Sequence, residues 1–181
     1  MERPGAPVDT VGDHESAMTR ADAFDIRLWL RLLTCSTLIE HDLRGLLNRE
    51  FGTTLPRFDA LAQLERAPSG LTMGALSRQM MVTNGNVTGV VDRLVRDGLA
   101  TREPSKDDRR ACIVTLTEAG RRLFATMTPV HHARVQALLA GLDQSDAKRL
   151  YALLALLKVS VGDVAAYPGG ARDRELGSQD G

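Results

Sequence analysis

A chain of 181 residues is long enough to bury a core without metal or disulfide staples, and it suits one ordinary domain. Its 23 Lys plus Arg balance 23 Asp plus Glu, so bulk charge argues for no polyanionic partner and any nucleic-acid footprint must be local. Aromatic residues make up only 4% of it while Leu, Ala and Val are plentiful, which points to a mainly helical protein packed through aliphatic ridges. Cys35 and Cys112 are far apart and fit no paired framework or zinc spacing, so a reducing cytoplasm is the simplest setting. No apolar run reaches membrane-spanning length, and "MERPGAPVDTVGDHES" lacks the basic and apolar regions of a secretory signal; no membrane partner is expected.

Residues 1–20, rich in Pro, Gly and acids without periodicity, read as a mobile arm, and residues 164–181 as a flexible tail. From about Asp22 to Phe51, Leu28, Leu32, Cys35, Ile39, Leu43 and Leu46 recur every three or four residues, and Gly52 ends the run. The spacing predicts a long helix, its stripe widened by Trp29, Leu33 and Leu47, with Cys35 a buried structural thiol on that stripe. A second helix starts near Pro56, buries Phe58, Leu61 and Leu64, and ends around Ala67-Pro68. Thr72 then caps a short third helix, "MGALSRQM", with Leu71 and Leu76 placed as a hydrophobic staple. Beyond Gly98, "LATRE" (99–103) and the alternating "ACIVTL" (111–116) flank "PSKDDRR": a strand, a charged loop and a returning strand. Thr117 can cap a long helix carrying Leu123, Phe124, Met127, Val135 and Leu138, with a possible kink at Pro129. Asp143 with Asp146 opens a last helix whose seam is Leu150, Leu153, Leu154, Leu157 and Val161.

One segment gives conflicting signals. In "VTNGNVTGVVDRL" (82–94) the pair Asn84-Gly85 between β-branched runs is a strong hairpin signal, yet Val87, Val90, Val91 and Leu94 recur at helical spacing. The order of helix, short helix, tight turn, helix and two-stranded ribbon is that of a winged helix-turn-helix, and there the helical reading prevails. Thr83 is then a favoured N-cap. The valines and Leu94 point inward, while Gly85, Gly89 and Arg96 face outward, flanked by Asn86, Thr88, Asp92 and Arg93. Glycine inside a helix costs about 1 kcal/mol relative to alanine, so Gly85 and Gly89 need a reason. Either they let the backbone approach a DNA groove, or they let this helix pack tightly on another.

The ribbon favours the groove. Its loop holds Lys106, Arg109 and Arg110 beside Asp107 and Asp108, and arginine at a ribbon tip can enter a narrow minor groove while an adjacent carboxylate orients it. Asparagine can bond adenine bidentately, and threonine can bond base edges or meet a thymine methyl. Residues 72–110 hold seven Lys/Arg against five Asp/Glu, a modest excess that calls for two copies of the module. The long terminal helices carry more apolar surface than a lone domain of this size would expose, so they are expected to form a dimer interface. The domain boundaries follow: residues 21–54 and 117–163 as dimerisation helices around a DNA-binding lobe at 55–116.

With these residues in view, "LTMGALSRQMMVTNGNVTGVVDRLVRDGLATR" followed by "DDRRACIVTLTEAG" resembles the MarR-family transcriptional regulators over about Asp22 to Val161. The resemblance implies a mainly α winged helix-turn-helix of about six helices with a small β-ribbon wing, forming an intertwined homodimer on a pseudo-palindromic double-stranded DNA operator. It places recognition positions at Asn84, Asn86, Thr88 and Arg93, and the wing motif at Asp108, Arg109 and Arg110. It also implies repression relieved by a small acidic or aromatic inducer, or by an oxidant. "TTLPRFDALAQLERAPSGLTMGALSRQMMVTNGNVTGVVDRL" is similar to members controlling aromatic-acid or hydroxycinnamate catabolism, some of which respond to aromatic acyl-CoA thioesters.

A ligand site is sought on the first helix, where Arg27 and Arg31 at i,i+4 flank Trp29 and could hold a carboxylate or CoA phosphate, with His41 lining a cleft; a solvated basic face is the plainer alternative. Adjacent His131 and His132 point to different helix sides and make a poor metal pair. No phosphate loop or nucleophile motif is present, so neither catalysis nor a bound cofactor is expected beyond the effector itself, an aromatic carboxylate or aromatic acyl-CoA. Two other classes stay open: a winged-helix protein-interaction module without DNA contact, and a cysteine-based redox sensor using Cys35 or Cys112.

Overall fold

The computed structural model describes residues 23–80, 84–105 and 111–166 and, of residues 84–86 and 163–166, the backbone alone. The expected arm up to residue 22, the cap Thr83, the loop 106–110 and the tail beyond residue 166 lie outside the described residues. Helix α1 spans Phe24–Phe51 and stops at Gly52, which takes a left-handed conformation while its N–H bonds back to Asn48 O at 3.0 Å. Helix α2 (Leu55–Glu65) has its proline in the first turn. Strand β1 (Leu71–Thr72) leads into α3 (Met73–Met80), capped by Thr72 Oγ1, which accepts from Ala75 N at 3.1 Å. Then come α4 (Asn84–Arg96), β2 (Ala100–Pro104), β3 (Cys112–Leu116), α5 (Glu118–Leu139), continuous through Pro129, and α6 (Gln144–Ala166).

This is a winged helix-turn-helix, with six helices and a small antiparallel sheet among the described residues. Its sheet has a strand that the sequence pattern did not signal. Leu71 and Thr72 pair with Val114 and Ile113, giving the order β1-β3-β2. Two residues are too few to show a period, so they read only as a staple and a cap. The last helix also runs to Ala166, past the expected boundary at 163.

Two compact units make up the chain, dividing between Leu138 and Leu139. In the first, the core is built where α2, α3, α4 and the sheet converge. Leu61 and Leu64 of α2, Leu76 of α3, Val87, Val91 and Leu94 of α4, and Val114 of β3 are fully buried. Each such side chain contributes roughly 1.5–3 kcal/mol on burial. Phe58 joins α2 to α5, tilted against Phe124 at 5.5 Å and stacked on His131 at 4.4 Å between centroids.

The exit from α4 is tied to the start of α5. Gly98 turns the chain at φ 69°, and Leu99 N bonds Leu94 O at 2.8 Å to close the helix. Thr117 then donates from its hydroxyl to Gly98 O at 2.7 Å and from its N–H to Leu99 O at 3.1 Å, while its Oγ1 accepts from Gly120 N at 3.0 Å. The fit leaves no room at residue 120: a Cβ there would lie 2.1 Å from Leu99 O.

The terminal helices differ from expectation within the single chain. Of the α1 stripe only Leu43 and Leu47 are buried, whereas Leu28, Leu33 and the expected buried thiol Cys35 are exposed. The cause is reach: the N-terminal half of α1 extends past the core that its C-terminal turns pack on. At its packed end Asp42 accepts two hydrogen bonds from Arg134 of α5, at 2.6 and 2.5 Å. In the second unit, α6 is capped by Asp143, whose Oδ1 accepts from Asp146 N at 2.8 Å, and its whole seam from Leu150 to Val161 is exposed. None of the described helices is long and apolar enough to cross a membrane.

Gly120→Ala should destabilise the protein by about 1–3 kcal/mol, because a backbone carbonyl must move to admit the methyl. Chemical denaturation checks this, and an unchanged midpoint would show the α4–α5 junction to be looser than described.

Candidate nucleic-acid interface

Helix α4 settles the conflict between hairpin and helix, since Asn84 and Gly85 form its first turn. Its apolar side, Val87, Val90, Val91 and Leu94, is buried, and Thr88, Gly89, Asp92, Arg93 and Arg96 are exposed on the other. The two explanations for Gly89 now separate. A Cβ at that position would meet nothing within 4 Å, so no packing among the described residues requires the missing side chain. Approach by an outside surface remains.

The charges on α4 are sorted. Asp97, just past its end, is ion-paired to Arg57 of α2, and Asp92 accepts from Arg102 of β2 at 3.2 Å. Arg93 and Arg96 have no ion-pair partner among the described residues, so the outward face presents uncompensated cations. Neither pairing was foreseen from the sequence. Asp97 did carry a hint, because an acid beside a helix C-terminus opposes the dipole and gains from a nearby guanidinium.

The two strands that flank residues 106–110 form a regular ribbon. Strands β2 and β3 pair from Ala100 opposite Leu116 to Pro104 opposite Cys112, Ser105 N bonds Ala111 O at 2.8 Å, and Thr101 and Thr115 share a hydroxyl hydrogen bond of 2.7 Å. The wing candidates Lys106, Asp108, Arg109 and Arg110 lie outside the described residues, as do the side chains of Asn84 and Asn86 and the surroundings of Gly85.

The proposed ligand residues are not gathered as the sequence suggested. Arg27 and Arg31, four apart on α1, share a side, but Trp29 two residues along points to another, so the helix does not set the indole between them. Trp29 is 57% exposed, Arg31 and His41 are exposed, and Arg27 is half-buried over the Phe24 ring, 5.8 Å from its centroid, with Nε buried and unpartnered. The neighbours of His41, Glu40 and Arg44, pair with each other at 2.9 Å.

Perturbed ionisations collect where α1, α2 and α5 meet. The hydrogen bonds from Arg134 hold the Asp42 carboxyl below its usual range. Burial raises that of Asp59, and the Glu40 carboxylate adds to it, against a smaller opposing pull from Arg44. His131 is lowered, chiefly by burial, and further by His132. Asp42 and His131 belong to the packing of α5 on the lobe, where His131 stacks on Phe58.

Comparison with known proteins agrees with this geometry. A family model described as MarR family matches residues 51–111. The transcriptional activatory protein BadR of Rhodopseudomonas palustris is 32% identical over 103 residues, 56% of this chain and 58% of its own length. This chain thus aligns with little more than half of that relative. The crystal structure of a DNA-bound MarR family regulator, Sco3205 of Streptomyces coelicolor, shares the fold, with a TM-score of 0.70 at 22% identity over 77% of this chain and 92% of that one. A MarR family transcriptional regulator from Silicibacter pomeroyi is 36% identical, with a TM-score of 0.66 over 76% of this chain and 94% of that one. At that identity and coverage, and with recognition helix and wing stem in place, the chain belongs to the MarR family of transcriptional regulators.

Proposed function

We propose that this chain is a cytoplasmic, homodimeric DNA-binding repressor released from its operator by a small anionic aromatic molecule. The observation that carries the DNA reading is the two-sidedness of α4. Its valines fill the core, while Thr88, Gly89, Arg93 and Arg96 face out with open space over the glycine. A helix N-terminus and the two arginines favour phosphate, and the missing Cβ at Gly89 lets backbone approach the groove floor. The DNA complex of Sco3205 supports the same use of this fold.

Dimerisation is supported by the exposed apolar side chains of both terminal helices, from Phe24 to Leu38 on α1 and through Leu156 (70% exposed) on α6. Two recognition helices about 34 Å apart would then meet successive major grooves on one side of the duplex. For the effector, the half-buried Arg27 with its unpartnered Nε is a donor suited to a carboxylate or CoA phosphate. Such a ligand must bind the DNA-incompetent state more tightly, because only differential affinity moves the equilibrium. Repression is the simplest consequence of occupying a promoter, although BadR is described as an activator.

The interaction-module reading fits less well. Among the described outward residues of α4 only Val95 is a large apolar side chain, at 37% exposure. The exposed thiol of Cys35 favours a redox reading, but it shares the α1 stripe that dimerisation would cover.

Affinity for promoter DNA should fall steeply between low and physiological salt as counterions are released; fluorescence anisotropy measures it, and a flat response would return the interaction-module reading. Gly89→Ala should raise stability by about 0.5–1 kcal/mol, since alanine is the better helix former, yet weaken DNA binding on the order of tenfold. Denaturation and anisotropy on the same variant check both signs, and a variant that binds DNA normally would remove the close-approach explanation. Aromatic acids or their CoA thioesters should lower DNA affinity, an effect blunted by Arg27→Ala; affinity indifferent to both kinds of compound would eliminate this effector class.

A further inference from the structure

Asp92 is an anomaly on a face meant for a polyanion. It is exposed beside Arg93, where a bare carboxylate would repel phosphate and lower affinity. Its side chain accepts a hydrogen bond from Nη1 of Arg102 at 3.2 Å, with the acid 51% and the guanidinium 37% exposed. An exposed pair of this kind contributes little to folding, so stability alone gives little reason for it. What it joins is informative. Arg102 sits mid-strand in β2, opposite Val114 of β3, and β2 leads directly to the wing loop. The backbone already ties the far end of α4 to α5 through Gly98 and Thr117. Asp92, more than a turn earlier, adds a side-chain tie from the recognition helix to the wing stem. The other guanidinium donors of Arg102 make no further hydrogen bond among the described residues, which leaves them to face a phosphate.

We propose that Asp92 is a positioning residue for DNA binding, holding Arg102 against α4 so that recognition helix and wing meet the duplex in one fixed geometry. The proposal rests on the DNA-binding reading above. It also reverses the sign expected of simple charge removal, under which loss of an acid from the DNA-facing side tightens binding to every sequence.

The test uses two duplexes of equal length: the best binder recovered by the full-length wild-type protein from a randomised pool, and a scrambled version of it. Asp92→Ala should weaken binding to the selected duplex about tenfold, a coupling ordinary for a hydrogen-bonded charged pair, without weakening binding to the scrambled one. Asp92→Ala/Arg102→Ala should bind the selected duplex no worse than Arg102→Ala alone, because the two residues act as a unit. Should alanine at 92 lower the thermal midpoint, Asp92→Asn serves instead and should show the same selective loss in smaller degree. Binding of the selected duplex by these variants as tightly as by wild type, or additive losses in the double variant, would overturn the positioning role while leaving DNA binding intact. A wild-type protein that recovers no duplex from the pool would overturn the parent reading and this proposal together.

Discussion

The burial of one side of α4 is the constraint on which the rest of the lobe depends. Val87, Val91 and Leu94 are fully enclosed, and they occupy successive turns of a single helix. Fixing those three positions fixes the rotation of the helix about its axis. Once the rotation is fixed, Thr88, Gly89, Arg93 and Arg96 have no choice but to face outward. The core and the proposed DNA-binding face therefore lie on opposite sides of the same thirteen residues. The core can be optimised on one side without touching the chemistry on the other.

Rotation alone does not fix where the wing stands. That depends on the exit from α4, and there the chain uses backbone hydrogen bonds rather than apolar contacts. The left-handed Gly98 redirects the chain, Thr117 clasps the carbonyls of Gly98 and Leu99, and Gly120 omits a Cβ that would hold the two segments apart. The ion pairs follow the same plan. Asp97 joins α4 to α2 through Arg57, and Asp92 joins it to β2 through Arg102. Both carboxylates near the recognition face are thus neutralised by arginines from neighbouring elements, and the local field is left to Arg93 and Arg96.

What could be read from the sequence follows the reach of each interaction. The caps were legible because they are local: Thr72 and Thr117 each accept from an N–H three residues on, a spacing visible in the string. The inward valines of α4 were legible because a helical period repeats. Strand β1 was not, because its two residues gain their identity only by pairing with Val114 and Ile113 more than forty positions away. Arg57 with Asp97 and Asp42 with Arg134 were hidden for the same reason. The grouping of ligand candidates around Trp29 rested on something else. Adjacency in sequence made Arg27, Trp29 and Arg31 look like one site, and helical geometry put the indole on another side. Cys35 was misplaced because an apolar stripe says that a face will be covered, not which chain covers it.

That last distinction shapes how a signal could travel in the proposed dimer. Helix α1 is 28 residues long, a rod of about 42 Å. One end anchors to the lobe through Leu43, Leu47 and the paired Asp42, while the other leaves Phe24, Leu28 and Trp29 exposed within the described chain. A rod gripped at both ends transmits displacement where a flexible linker would absorb it. Reorientation of α1 at the end proposed to meet a partner must therefore either carry the lobe with it or break the Asp42–Arg134 clamp. Arg27, half-buried near that outer end with an unsatisfied Nε, is placed where ligand binding would act on the rod with the longest lever arm. Small shifts there become larger ones at the recognition helix, and two lobes must keep a spacing of about one DNA turn to bind together. The proposed effector would need no contact with the proposed DNA-binding surface; it would need only to favour a rod orientation in which the two α4 helices no longer match the grooves.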